Sequence, residues 1–398
     1  MFVNGNLKHN LPILNCKLMN FEYTEEQKMI RDSAREYAQR ELIKDVLERD
    51  AKAEFPAHHV KALTDLGFMG MLVDTKYDGG GMDTVSYVLA MEEFSKVDSS
   101  VSVIMSVNNS LVCYGIEAFG SEEQKEKYLR PLARGEKLGA FLLSEPDAGS
   151  DATSQRTLAV DMGDHYLVNG TKNWITNANC ASIYLLIAQT HPEKKHKGIN
   201  CLIVEKNTPG ITLGPHEDKM GMRSSDTHSV MFNDVKVPKE NRIGEDGFGF
   251  KFAMKTLEGG RIGIAAQALG IAQGAYERAL QYAHERKAFG TEIINHQAVA
   301  FKLAEMHVRI EAARDFCLKA AWLKDQNQPY GTASAMAKYW AAETAMFVTT
   351  EAVQILGGYG YVKEYHVERL MREAKLTQIY EGTSEIQKII ISRAIMND

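Results

Sequence analysis

The period of the apolar positions changes twice along this 398-residue chain. Residues 19–137 carry apolar side chains at helical spacing, as in HHVKALTDLGF and TVSYVLAMEEFSKV. From about residue 138 the apolar positions alternate, and after GEDGFGF helical spacing returns and runs to the end. The first helix opens at Thr24-Glu25-Glu26-Gln27, a capping box in which the Thr hydroxyl and the Gln amide serve free backbone groups. Ser121-Glu122-Glu123-Gln124 repeats the device. KYDGGGMD interrupts the helical stretch, and its run from Gly79 to Gly81 predicts a mobile loop.

In YLVNGTKNWIT, Asn169-Gly170 lies between β-rich runs and predicts a type I′ hairpin turn. SIYLLIAQT, INCLIVEK and HSVMFNDVKVP read as further strands with no helix-length amphipathic run between them. That order favours a small antiparallel barrel or sandwich over a βαβ fold. The segments FKLAEMHVRIEAARDFCLKAAWLKD and ASAMAKYWAAETAMFVTTEAVQIL, with a terminal helix from about Ser384, suit a four-helix bundle. Several of these helices are apolar on more than one face, as helices between subunits are.

The chain therefore reads as an α+β protein: an N-terminal helical domain (19–137), a middle β domain (138–250) and a C-terminal helical bundle (251–398). Residues 1–18 have no helical period, no Arg enrichment and no signal-peptide core. They are expected to be a disordered extension or to precede a true start at Met19, with a weak targeting peptide as the alternative.

Composition narrows the function classes. With 44% hydrophobic and 25% charged residues the chain is ordinary globular material, and its length calls for more than one core. A net charge of −6 argues against nucleic acid or an anionic membrane as the main partner, and no apolar run reaches the length of a membrane span. Cys16, Cys113, Cys180, Cys201 and Cys317 are scattered without a CxxC pair, so neither a metal site nor a disulfide framework is expected.

Five short motifs carry the chemistry: FLLSEPDAGSD, WIT, RKAFG, QILGGYGY and IYEGTSEIQ. Taken singly, they read as a polar turn, a core Trp, a solvated Arg, a helix C-cap and a surface carboxylate. Together they can do more. Small residues let backbone and hydroxyls approach a planar ring, and an aromatic wall with one polar handle suits an amphipathic one. A forked guanidinium suits a pyrophosphate. A Glu on a short loop before a helix can be held against an acidic carbon while its own N–H polarises the neighbouring carbonyl.

In this order on a helix–strand–helix framework, the motifs resemble the acyl-CoA dehydrogenase family from about residue 20 to the end. The resemblance implies FAD as cofactor, an acyl-CoA substrate and electron-transfer flavoprotein as electron acceptor. Phe141, Ser144, Ser150, Trp174, Ile175 and Thr176 would line the flavin, with Ser150 also near the CoA chain. Arg286, Phe289, Gln297, Gln354, Gly357 and Gly358 would hold FAD across a subunit interface, which implies a homotetramer. Thr383 and Glu385 would touch FAD. Thr190, Glu258, Arg261 and Gly382 would serve the substrate, although relatives often carry Asp where this chain has Glu258.

The same resemblance makes Glu381 the base that takes the α-proton while the β-hydride goes to flavin N5, and burial should raise its pKa. Long-chain and isovaleryl branches of the family place the base on an earlier helix, in a run matching Leu257-Glu258-Gly259-Gly260-Arg261. Gly260 occupies the critical slot here, which leaves the late position. The overall pattern is similar to the short-chain, butyryl-CoA group. Short branched or medium-chain substrates are alternatives, as is an oxidase, though the longer C-terminal extension of classical oxidases is absent. A monooxygenase relative or a non-catalytic scaffold would be expected to lack the Glu motif, the WIT wall or the Arg clamp. The expected compartment is the bacterial cytoplasm, or the mitochondrial matrix in a eukaryote.

Overall fold

The computed structural model describes residues 22–397, so the expectation for residues 1–18 and Cys16 lies outside the described residues. Helix α1 (Glu25–Tyr37) begins on its capping box: the Thr24 hydroxyl accepts from the Gln27 N–H at 3.2 Å, and the Thr24 N–H donates to the Gln27 side chain at 3.0 Å. Ser121 and Gln124 make the same reciprocal pair. Helices α2 (Thr84–Ser95) and α3 (Ser99–Ser106) are almost wholly buried. The chain leaves α3 through a wide π-type turn at Val107–Cys113, which carries Leu111 toward the C-terminal domain.

The glycine run at 79–81 is tied down rather than mobile. The N–H groups of Gly79, Gly80 and Gly81 donate to the carbonyls of Asp74, Gly70 and Val73. Composition signalled a break, but backbone hydrogen bonds decide how firmly that break is held.

The middle domain is an eight-stranded sheet: β1 (Gly139–Leu142), β2 (Leu158–Asp161), β3 (His165–Thr176), β4 (Ile183–Gln189), β5 (Ile199–Glu205), β6 (Ile211–Leu213), β7 (Thr227–Pro238) and β8 (Arg242–Ile243). The order is β6-β7-β3-β2-β4-β5-β8, with β1 pairing β4 in parallel. Most other pairs are antiparallel. Among the described residues no pairing joins β6 to β8, so the sheet does not close into the anticipated barrel.

Asn169-Gly170 is not a hairpin turn. Strand β3 runs straight through it, with a register shift against β7 between Val168 and Gly170. The Asn169 side chain is held instead by Asp234, accepting from its N–H at 2.9 Å and donating to its carboxylate at 3.0 Å. Gly170 takes a φ of 145° against Thr157, so the pair builds a bulge in a long strand. The β2–β3 turn lies earlier, at Met162-Gly163-Asp164, where the Met162 N–H donates to the His165 carbonyl.

Five helices form the C-terminal domain: α4 (Gly249–Glu285), α5 (Gln297–Asp325), α6 (Gly331–Leu356), α7 (Val367–Thr377) and α8 (Ser384–Asn397). The long α4 packs on α5, α6 and α7 and also on α2, β4 and β5, so it joins all three parts of the molecule. Its Phe252 makes this visible, with Phe119 of the N-terminal domain 5.5 Å away and Phe141 of β1 6.5 Å away. Among the described residues no helix is long and apolar enough to cross a membrane.

Candidate active site

The turn between α7 and α8 contains two successive residues in the left-handed region, Glu381 (φ 52°) and Gly382 (φ 92°). Glycine adopts this conformation freely, whereas a glutamate in it costs on the order of 1 kcal/mol. The surroundings over-determine the turn. The Tyr380 and Ser384 N–H groups donate to the carbonyls of Leu376 and Gln378, and the Ser384 hydroxyl donates to Glu343 of α6 at 2.7 Å. The Thr383 hydroxyl accepts from the Ile386 N–H and so caps α8. The Gly382 carbonyl accepts from Lys338 at 2.7 Å and from Gln387 at 2.8 Å. Tyr380 donates its hydroxyl to Gln267 of α4, whose amide is anchored in turn to the Ser99 carbonyl and the Ser102 hydroxyl.

This scaffold presents the Glu381 carboxylate to the middle of α4. One of its oxygens, Oε2, is buried without a hydrogen-bond partner among the described residues. Burial pushes the carboxyl up to about 7, against the opposing pull of Lys338 and Arg261. Arg261 lies among Glu258, Glu381 and Tyr330, and its own buried Nε is unpartnered. Unsatisfied buried polar atoms are rare in folded proteins and concentrate where a ligand or reaction supplies the missing partner.

Gly260 faces the same carboxylate. A Cβ at that position would lie 2.3 Å from Glu381 Oε2 and 2.8 Å from Leu111 Cδ2. The early-helix slot and the late loop thus address one point in space, and a side chain at residue 260 would displace the carboxylate at residue 381.

The other expected site residues fall into two groups. In the first, β3 delivers Trp174 with φ 60° and an indole 60% exposed, while Ile175 beside it is buried. Thr176 ends the strand half-buried, and Ser144 is joined to it by the Asn173 N–H, which donates to the Ser144 carbonyl at 2.9 Å. Phe141 is half-buried and Ser150 is exposed.

Beneath this wall lies an ion pair that the sequence reading missed. Lys172 is completely buried and donates to Glu145 at 2.8 Å, Gln155 at 3.0 Å and the Leu143 carbonyl at 3.0 Å. Glu145 also accepts the N–H groups of Arg156 and Thr157. Burial pulls the Lys172 ammonium down to about 8, partly offset by Glu145. The network fastens both ends of the 143–157 segment to β3.

The second group lies apart from the first. Arg286, Gly357 and Gly358 line a cavity of about 560 Å³ with Tyr282, Tyr359 and Val362, and no residue of the Trp174 wall lines it. The Arg286 guanidinium sits over the Tyr359 ring, 5.9 Å from its centre. Phe289, in the short hairpin after α4, is 97% exposed, and Gln297 and Gln354 are exposed as well. Neither glycine has any atom within 4 Å of where a Cβ would stand.

Of the substrate positions, Glu258 approaches Gly331 and Arg261, while Glu385, expected at the FAD, is exposed on the first turn of α8. Thr190 is buried, and its hydroxyl donates to the Gly198 carbonyl and accepts from Asn200, both at 2.8 Å.

Among further residues that sequence reasoning missed, Gln387 and Lys338 do the most to hold the turn. Lys338 left a signal: it falls three and four positions from Ala335, Ala341 and Ala342, all buried, which puts a charge on the inward face of α6.

Comparison with known proteins agrees with this architecture. The N-terminal, middle and C-terminal domain families of acyl-CoA dehydrogenase match residues 24–136, 140–235 and 247–396. A short-chain-specific acyl-CoA dehydrogenase of Clostridium acetobutylicum is 49% identical, with 95% of this chain and 100% of that one aligned. The structure of butyryl-CoA dehydrogenase from Megasphaera elsdenii superposes with a TM-score of 0.94 at 47% identity, covering 95% of this chain and 100% of that one. A chain from a structure described as the electron transferring flavoprotein of Acidaminococcus fermentans matches with a TM-score of 0.94 at 49% identity, over 96% of this chain and 100% of its own. With all three parts matched in order and a half-identical relative aligned end to end, this chain belongs to the acyl-CoA dehydrogenase family.

Proposed function

We propose that this enzyme, which uses FAD as its family does, converts a short-chain acyl-CoA to the trans-2-enoyl-CoA, with Glu381 as the base. The observation that carries the reading is the Glu381 carboxylate itself: strained, enclosed, unpaired at one oxygen, and raised to about 7. A general base works best with a pKa near the operating pH, and here burial supplies the rise.

In this reading Glu381 takes the α-proton of the thioester onto its carboxylate. Its own N–H, which no acceptor takes among the described residues, polarises the thioester carbonyl. The residues present fit FAD. An outward-facing indole and the small residues of the 144–150 segment suit the flavin ring. The open glycines 357 and 358 beside Arg286 suit the pyrophosphate and adenosine end. When bound, the cofactor supplies the acceptor for the hydride that leaves the β-carbon.

The separation of the two groups of residues on one chain supports an FAD site completed by a second subunit, within the homotetramer that the family resemblance implies. The exposed Phe289 belongs to that interface. Short substrates are supported by the kinship with short-chain and butyryl-CoA enzymes, and electron-transfer flavoprotein as acceptor by the Acidaminococcus match.

Anaerobic titration of the FAD-loaded protein with butyryl-CoA tests the reading. Flavin absorbance should bleach in the native protein and persist in Glu381→Gln with FAD retained. Bleaching in both would move the base elsewhere, with Glu258 next in line. Bleaching only by longer or branched acyl-CoAs would keep the base and refute the chain length.

A further inference from the structure

Lys338 lies in the middle of α6 with none of its surface exposed. Its ammonium donates to one acceptor, the Gly382 carbonyl at 2.7 Å, and makes no salt bridge among the described residues. A buried ammonium served by a single neutral carbonyl is a costly arrangement, because desolvation of the charge is answered by neither a counter-ion in contact nor a full set of acceptors. Packing alone would be met better by Leu or Met. The charge is kept where its field reaches the turn that carries the base.

We propose that Lys338 is the positioning residue for Glu381: it clamps the Gly382 carbonyl, so holding the left-handed turn, and sets a buried positive charge beside the carboxylate. The inference rests on Glu381 being the base and deepens that reading.

The charged and titratable groups around the pair come from four helices and from the turn itself. On α4 stands Arg261, which acts on Glu381 in the same sense as Lys338. On α2 is Tyr87, whose hydroxyl donates to Ser106 and whose ionisation Glu381 opposes. Glu343 on α6 and Glu385 on α8 both favour the Lys338 cation, and Tyr380 in the turn feels Glu381. Glu343 is engaged by the Ser384 hydroxyl, so it acts as a second grip of α6 on the turn. Burial lowers the Lys338 ammonium below the usual lysine range, while Glu381 pulls it back up. The coupling is reciprocal, so losing the cation must raise the carboxyl further.

The test is the pH dependence of the second-order rate constant for flavin bleaching by butyryl-CoA, measured on FAD-loaded protein. Lys338→Met removes both the clamp and the charge. Its acidic limb should move up by about one pH unit or more, as for a carboxyl losing a close cation. Lys338→Arg should return the limb to the native position. Gln387→Leu removes the other donor to Gly382 but no charge, and should slow bleaching without moving the limb. If Lys338→Met does not fold, Lys338→Gln, uncharged but with an amide donor, replaces it with the same expected shift. A limb in the uncharged variant that coincides with the native one overturns the proposal, as does an equal shift in Gln387→Leu. Failure of the native protein to bleach with any acyl-CoA would overturn the functional reading and this inference together.

Discussion

Replacing Glu381 by Gln should stabilise the protein at alkaline pH while abolishing its chemistry. The Glu381 carboxyl stands at about 7 instead of 4.5, because burial outweighs the attraction of Lys338 and Arg261. A carboxyl whose folded pKa lies above its unfolded value contributes stability that is fully present below about 4.5, declines from there to about 7, and is absent above. At 1.36 kcal/mol per pH unit, a rise of this size makes the native protein ~3 kcal/mol less stable at pH 8 than one with a neutral isostere in place. Glu381→Gln keeps the volume and removes the charge, so it should recover most of that amount at pH 8 and almost none at pH 4.5. For a chain of this size the gain corresponds to a rise in Tm of roughly a few degrees. Thermal unfolding should be followed at matched protein and FAD concentrations, since ligand binding and association also move Tm. A variant no more stable than the native protein at pH 8, or one with the same gain at both pH values, would refute the claim that burial of this charge is paid for by the fold.

Three further perturbations test the remaining geometry. Gly260→Ala places a Cβ 2.3 Å from the present Oε2 and so displaces the carboxylate, and flavin reduction should slow by about 100-fold with FAD retained; an unchanged rate would mean the carboxylate does not work from this position. Lys172→Met strands the buried Glu145 and should destabilise the protein by about 3–5 kcal/mol in chemical denaturation, with part recovered in the Glu145→Gln double variant. A loss below 1 kcal/mol would show that the network is not what fastens the 143–157 segment. Arg286→Ala should fold with native circular dichroism yet lose bound FAD on gel filtration, and full FAD retention would count against the cavity beside Gly357 as its second half.

The three-part architecture was legible in the sequence because periodicity is a local property, and the caps at Thr24 and Ser121 were legible for the same reason. What failed was tertiary. Asn169-Gly170 has the composition of a turn, but Asp234 on the neighbouring strand engages the Asn side chain and turns the pair into a bulge. Barrel closure depends on which edges meet, and alternation along single strands carries no such information. The glycine run at 79–81 announced a break in the helix, and only long-range hydrogen bonds show how firmly that break is held. At the site, the motif residues could be read because they sit in short contiguous strings. Lys338 and Lys172 act across elements, so only their misfit against an apolar face could have announced them; Gln387 and Glu145 stand inside the quoted motifs, but their roles appear only once the chain is folded. Thr190 shows the same limit from the other side: its place along the chain could be read, but not that its hydroxyl is shared between Gly198 and Asn200.

With Glu381 as the proposed base, its closeness to Gly260 would account for a base carried at either of two positions far apart in sequence. The reacting carbon fixes where a carboxylate must stand, and the fold offers two backbones from which to reach that point. One is the buried middle of α4, where a side chain at residue 260 would arrive on a rigid helix without backbone strain. The other is the turn before α8, which needs a left-handed glutamate, a glycine after it and donors to hold the Gly382 carbonyl. Filling both forces one to give way, because a Cβ at residue 260 would stand 2.3 Å from the present Oε2 of Glu381. Moving the base is therefore an exchange of two coupled residues: a carboxylate installed at 260 requires a small or retracted side chain at 381. The single change Gly260→Glu should leave two carboxyls competing for one enclosed point, with the pKa of one driven higher still by its like-charged neighbour. The double change Gly260→Glu with Glu381→Gly relieves both the clash and the left-handed strain, and should recover flavin bleaching that either change alone removes.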